Sequence, residues 1–191
     1  MKRQTMLILM AVMFMVMAAS TVQAYTNNVE CVMTVTVTAQ RSVTVGGSPL
    51  AFGSVAVGAN AVTSTGATIT NDGETTQTYT LALTGVPSGW TLKETAGATG
   101  NDEMKLLALF TSSNPPATGD FNDTAAEDVV CDAAGLPASA TVYAKATEGT
   151  SVNGLSCTYG AVRKLWFKFF APAKTAVNSA QNITVTVTAG A

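Results

Sequence analysis

The chain is built largely from short runs in which apolar and polar residues alternate. From Met33 onward, Met33, Val35 and Val37 fall on one side and Thr34, Thr36 and Thr38 on the other. Period-two alternation of β-branched residues predicts a half-buried strand over 31–39, with Arg41 to Val45 as its continuation. The same reading predicts strands over Leu50–Val57, with a bulge or close approach at Gly53, and over Ala61–Thr70. Gln77–Thr84 places Tyr79, Leu81 and Leu83 on one face, and Trp90–Lys93 follows. Glu103–Phe110 is apolar almost throughout, as expected of a central strand. Lys164–Phe170 sets Leu165, Phe167 and Phe169 against Trp166, Lys168 and Phe170. Asn182–Ala189 closes the chain with Ile183, Val185 and Val187 alternating with threonines. Turn residues separate these runs: Gly46-Gly47-Ser48-Pro49, Gly58-Ala59-Asn60, Asn71-Asp72-Gly73 and Pro87-Ser88-Gly89. Eight or nine short strands at this spacing predict an all-β sandwich.

The rhythm breaks over about 111–162. This stretch holds Pro115-Pro116, an acidic patch and two cysteines, so it is read as one irregular insertion. Within it, Thr124-Ala-Ala-Glu127 has the spacing of a capping box for a short helix, and Thr141–Ala146 is a further candidate strand.

The first 24 residues follow a different logic. Lys2 and Arg3 precede an uncharged run from Met6 to Ala19, and Val22 and Ala24 offer small side chains to a signal peptidase. This is the pattern of a secretory signal peptide, a helix-forming segment cleaved after Ala24. Its apolar run is about 14 residues, short of the roughly 20 that span a bilayer, so no stable membrane span is expected after cleavage. Residues 25–191 then form a single domain, exported to the cell surface, the extracellular space or the periplasm. Removing two of ten basic residues leaves eight against twelve acidic ones, a net charge of −4. The nearest approach to a basic cluster, Arg163, Lys164 and Lys168, lies in an aromatic strand, so nucleic acid and anionic membrane are poor partners. Export also makes disulfides feasible. Cys131 and Cys157 are the preferred pair, because closing about 25 residues would contribute about 3 kcal/mol in the chain-entropy model. Pairs using Cys31 stay open, and so does an intermolecular bridge through it.

Two segments carry a family resemblance. LAFGSVAVGANAVTSTGATITNDGETTQTYTLALTGVPSGWTL (50–92), with its Asn71-Asp72-Gly73 turn and Gly85–Trp90 corner, resembles the first half of bacterial extracellular immunoglobulin-like domains. Such domains occur in secreted glycosidases and cell-surface proteins. LWFKFFAPAKTAVNSAQNITVTVTAG (165–190) is similar to their closing half. The outline of signal peptide plus sandwich also resembles camelysin-like filament subunits. The resemblance implies an antiparallel immunoglobulin-like β-sandwich and no particular activity.

Candidate chemistry is sparse. The chain has no histidine, which removes Ser-His-Asp and Cys-His catalysis and the commonest zinc and copper ligand sets. The carboxylate pairs Asp102/Glu103, Asp120/Asp123 and Glu127/Asp128 fall in polar stretches that read as solvated. Asp120, Asn122 and Asp123, with Glu127 and Asp128 beyond, form a weak calcium candidate, because hard oxygen ligands at short spacing suit that ion. The EF-hand pattern fails at Thr124 and Ala125, and a helix-capping loop is the plainer reading. Trp90 and the Trp166/Phe170 face could stack on sugars, although core packing is the usual fate of such residues. No cofactor is implied.

The expectation is a non-enzymatic surface or secreted structural protein. The similar Thr/Val strands 31–39 and 182–189 are expected to pair within one molecule; alternatively, the 31–39 strand could complete a neighbour's sheet and so build a filament. Its partners would be further copies or other envelope proteins. The alternative is a secreted carbohydrate- or protein-binding module, with a glycan or protein ligand.

Overall fold

A computed structural model describes residues 40–124, 127–131, 134–145 and 147–190. The signal peptide, the cleavage point after Ala24, Cys31 and the strand expected over 31–39 lie outside the described residues.

The described chain is all-β, with nine strands, one 3-10 turn and no α-helix. The strands are β1 (Val43–Gly46), β2 (Asn60–Val62), β3 (Ala67–Asn71), β4 (Thr78–Gly85), β5 (Thr91–Leu92), β6 (Glu103–Phe110), β7 (Leu136–Pro137), β8 (Val162–Phe170) and β9 (Thr184–Gly190). They form two sheets. The larger has the order β1-β3-β8-β6-β5, with β2 also on β8, and the smaller has the order β7-β4-β9. All pairings are antiparallel except β5 with β6.

The period-two pattern is realised where backbone pairing supports it. Tyr79, Leu81 and Leu83 of β4 face Ile69, Leu106, Ala108, Phe110, Leu165 and Phe169 of the larger sheet, and these residues form the main core. The two faces of β8 divide as its alternation requires: Leu165 and Phe169 enter this core, while Trp166 enters a second one with Leu107, Leu109, Phe121 and Val129. β6 is therefore buried on both faces, which explains its unbroken apolar run. The single run expected over Ala61–Thr70 is split into β2 and β3, which lie end to end along β8. Gly66 sits at the break, where a Cβ would come within 2.7 Å of the Trp166 ring. The Asn71-Asp72-Gly73 turn forms as its chemistry dictates. Asn71 is buried, accepts from the Gly73 amide, and donates to the carbonyls of Thr75 and Cys157.

Two expected strands are absent. Leu50, Phe52 and Val55 do pack against the core, but no part of 50–57 joins a ladder. Pro49 lacks an amide, and Gly53 adopts a φ of 69°, so the segment crosses the core as an extended cover. The described part of the other, residues 141–145, is a bend and turn that touches β6 only through the Phe110–Ala144 bridge. The capping geometry expected at Thr124–Glu127 occurs instead at the 3-10 turn Thr118–Asp120, where the Asp120 carboxylate accepts from the Ala117 amide. The Thr124 hydroxyl donates to Asn122, and the Glu127 amide closes a simple turn onto the Thr124 carbonyl.

The insertion has a structural task. The Ala108 amide donates to Asp128, the Val130 amide to Leu106, and the Phe110 amide to Tyr143, so the insertion continues the row that β5 begins beside β6. It then crosses to the smaller sheet: the Leu83 amide donates to Cys131, β7 pairs with β4, and the Tyr79 amide donates to Gly154. One side of the two-sheet stack is thereby hydrogen-bonded shut.

Candidate functional site

The opposite side of the stack is not sealed in this way. There β1 is the edge of the larger sheet and β9 the edge of the smaller one, and among the described residues neither has a strand on its outer side. Between them lies a groove of about 750 Å³, lined by apolar side chains together with Ser, Thr, Asn and Gln residues. Val45 and Ile69 line its floor, Val185 and Val187 of β9 line its roof, and Phe52 and Val177 come from the loops that cross its mouth. No charged side chain lines it.

β9 owes its place to sequence. Val185 and Val187 point inward against the core, while Thr184, Thr186 and Thr188 are exposed. On the outer face Thr186 shares a hydrogen bond with Thr84 of β4 at 2.9 Å. The strand contains no proline and no charge, the two devices that usually protect an exposed edge. Among the described residues its outer row of backbone groups has no strand partner, and such a row can accept another strand.

The residues singled out by sequence are distributed elsewhere. Asp120, Asn122 and Asp123 do not converge on a common point. Asp120 pairs with Lys145 at 3.0 Å, while both oxygens of Asp123 accept from Lys105 Nζ at 2.6 Å. Asn122 donates its side-chain amide to Glu127 and its backbone amide to Asp128 Oδ2, the latter at 2.6 Å. Among the described residues no group of three or more acidic or cysteine side chains could hold a metal ion. The calcium candidate is thus replaced by lysine counter-charges, which neutralise the carboxylates that an ion would need. Of the other pairs, Asp102 sits in a turn with a φ of 51°, and Glu103 accepts from the Gly100 amide and pairs with Lys93 at 3.6 Å.

Lys105 is the residue the sequence reading overlooked. Its side chain is fully buried, and it also donates to the Gly97 carbonyl at 2.5 Å and lies 4.5 Å from the Phe170 ring centroid. Lys168 approaches the same ring at 4.8 Å, and burial, ahead of the nearby charges, pulls its pKa down. A lysine within the apolar run Glu103–Phe110 was the available signal, since a charge in a doubly covered strand needs a partner. Asp128 is also buried. Oδ1 has no partner, and loss of hydration, reinforced by Glu127, raises its pKa to about 7 despite the Asn122 amide.

The expected Cys131–Cys157 bridge is absent. Cys157 is a buried thiol facing the Asn153 carbonyl, and burial pushes its pKa up. Cys157 pairs with Gln77 and the Cys131 carbonyl accepts from Leu83, at opposite ends of the β4 line. Six extended residues span roughly 20 Å, whereas a disulfide needs Cα atoms within about 7 Å. The aromatic platform is dispersed as well. Trp166 is buried in the second core, and Trp90 stacks on Phe169 at 5.9 Å while its indole N–H donates to Thr175.

No helix among the described residues is long and apolar enough to cross a membrane. Comparison with protein-family models, curated proteins and solved structures finds no match.

Proposed function

We propose that this protein is an exported, non-enzymatic structural subunit of the cell surface or extracellular space, an immunoglobulin-like sandwich that associates with further copies of itself. The observation that carries this reading is the edge of β9, which holds no charge or proline and on which no strand lies among the described residues, beside a groove of mixed apolar and uncharged polar lining. An edge of this kind is an association surface by its backbone chemistry, and chains that stay monomeric usually blunt it with charge, proline or a covering loop. The groove lining offers no acid, base or cation to a substrate. Export rests on the pattern of residues 1–24, and the immunoglobulin-like class on the packed two-sheet core together with the resemblance of 50–92 and 165–190.

A glycan-binding reading draws on Trp90, which reaches the groove beside Asn178 and Gln181. It is weaker, because one face of that indole is already taken by Phe169. The test is sedimentation velocity of the processed protein over a wide concentration range, with electron microscopy of the same samples. Oligomers or filaments are expected. A monomer at every concentration, with binding on a glycan array, would replace this reading by the second one.

A further inference from the structure

We propose that Asn182 is an N-glycosylation site, the acceptor of an oligosaccharide delivered on a lipid diphosphate. The proposal rests on the export read from residues 1–24, because asparagine-linked sugars of this kind belong to exported chains.

A side-chain amide is a poor nucleophile, and the enzymes that glycosylate it read a short triplet, Asn-x-Ser/Thr with x other than proline. The chain holds two such triplets, Asn122-Asp123-Thr124 and Asn182-Ile183-Thr184. Sequence treats them alike. The structure separates them by what each amide nitrogen is already doing.

At the first triplet every member is engaged. Asn122 donates its side-chain amide to Glu127, and its Oδ1 accepts from the Thr124 hydroxyl at 2.9 Å. Asp123 is held by the buried Lys105, and the Asn122 backbone amide donates to the buried Asp128. An enzyme could draw this triplet into its cleft only by pulling the insertion off β6.

The second triplet is free where the first is tied. Asn182 lies two residues before β9, at the end of the connection 171–183 from β8. Its side chain is exposed, and neither its amide nor the Thr184 hydroxyl makes a hydrogen bond among the described residues. The alternation of β9 runs back through it: Ile183 packs against the main core, while Asn182 and Thr184 are exposed. The middle residue thus anchors the triplet, and the two that an enzyme reads are presented to solvent. Thr184 has room because Gly85 stands opposite it, where a Cβ would come within 2.9 Å of Thr184 Cβ and Oγ1. Asn178, Ser179 and Gln181 share the groove rim with Asn182, and their uncharged polar side chains offer hydrogen bonds to the first sugars.

The transfer is a substitution at the anomeric carbon. Asn182 Nδ2 forms the new bond to that carbon, and the bond from the carbon to the diphosphate oxygen breaks with its electron pair leaving on the oxygen. One Nδ2 proton ends on the released lipid diphosphate, so no oxidant or reductant is needed. The product carries a bulky, hydrated group where β9 begins.

The test is mass spectrometry of the protein isolated from the cells that make it. Trypsin cuts after Lys105, Lys145 and Lys174, so peptide 106–145 carries Asn122 and peptide 175–191 carries Asn182. Peptide 175–191 is expected to bear the added mass of a sugar chain, and 106–145 to have the mass of its amino acids alone. Asn182→Gln and Thr184→Val are expected to abolish the added mass completely, while Thr184→Ser, which keeps the hydroxyl, retains it. All three changes fall on exposed side chains, and circular dichroism checks that each variant is folded. Protein cleaved after Ala24 whose peptide 175–191 is unmodified would overturn the proposal and leave export standing. Sugar that survives Asn182→Gln, being carried by the threonines of the same peptide, would overturn it as well. Protein that keeps residues 1–24 and bears no sugar would overturn both the proposal and the export on which it rests.

Discussion

The Lys105–Asp123 pair gives the most direct test of how the insertion is fastened to the sheet. Lys105 Nζ has three short polar contacts, two to Asp123 and one to the Gly97 carbonyl, and shares the Phe170 ring with Lys168. Among the described residues Asp123 is the carboxylate that pairs with Lys105. Asp123→Asn keeps the shape and removes the charge, leaving an ammonium that is 0% exposed without its counter-ion. Breaking a buried ion pair on one side costs about 3–5 kcal/mol. The Asp123 side chain is 31% exposed, so water can reach the vacated site and the lower end, about 2–3 kcal/mol, is expected. For a domain of this size that corresponds to a fall in Tm of roughly 5–10 °C. The reverse change should be milder. Lys105→Met removes the group that cannot reach water and leaves Asp123, which can, so its cost should be the smaller of the two. Adding Asp123→Asn to Lys105→Met should then change little. Urea denaturation followed by the fluorescence of Trp90 and Trp166 measures all three variants, with an unchanged m-value confirming comparable unfolding. Asp123→Asn within about 0.5 kcal/mol of the unaltered protein would refute the reasoning, as would Lys105→Met proving the costlier change.

Asp128 should make stability depend on pH with the opposite sign to a salt-bridged carboxylate. Its folded pKa of about 7 lies above an unfolded value of about 3.9, so between them the folded state holds the extra proton and stability falls as pH rises. The loss is at most about 4 kcal/mol, complete above about pH 7, and Asp128→Asn should flatten this limb in denaturation curves taken from pH 4 to 8. A limb of unchanged slope in the variant would count against the assignment. Gly66→Ala forces a methyl to within 2.7 Å of Trp166 and should cost about 1–3 kcal/mol. Gly119→Ala, where nothing lies within 4 Å, should be neutral, and equal Tm values for the two variants would show that Trp166 can move aside.

How far the fold could be read in advance follows from what alternation reports. It reports burial on one side, and burial coincided with pairing in β4, β6, β8 and β9. In 50–57 the two part company: Leu50, Phe52 and Val55 are spaced to cover the core, but Pro49 and the positive φ of Gly53 keep the backbone out of a ladder. The insertion was opaque for another reason. Phe121, Val129 and Tyr143 follow no sustained period-two alternation, and each is buried against residues distant in sequence. The same distance misled the reading of the acidic patch. Asp120 and Asp123 look like ligands in a local window, yet Lys145 and Lys105, which neutralise them, stand far along the chain. The cysteines erred in the other direction, since a short loop in sequence spans opposite ends of β4 in space.

The two sides of the two-sheet stack differ. The insertion of 111–162 closes the side between β6 and β4 with backbone hydrogen bonds to both sheets. The β1–β9 side has no counterpart among the described residues and is crossed by a segment outside any ladder. If closing the two-sheet stack were only a matter of stability, both openings would carry the same unsatisfied edges and call for the same remedy. The chain supplies within its described fold a remedy for one opening. For the other it supplies none among the described residues. On the self-association proposed above, pairing of the β9 edge would stabilise this side. Protein in which the β9 edge is paired should exchange the β9 backbone amides with solvent more slowly than protein in which it is bare, while the amides of β6 should exchange equally slowly in both. Hydrogen-exchange protection of β9 that is the same in monomer and assembly would place the contact elsewhere.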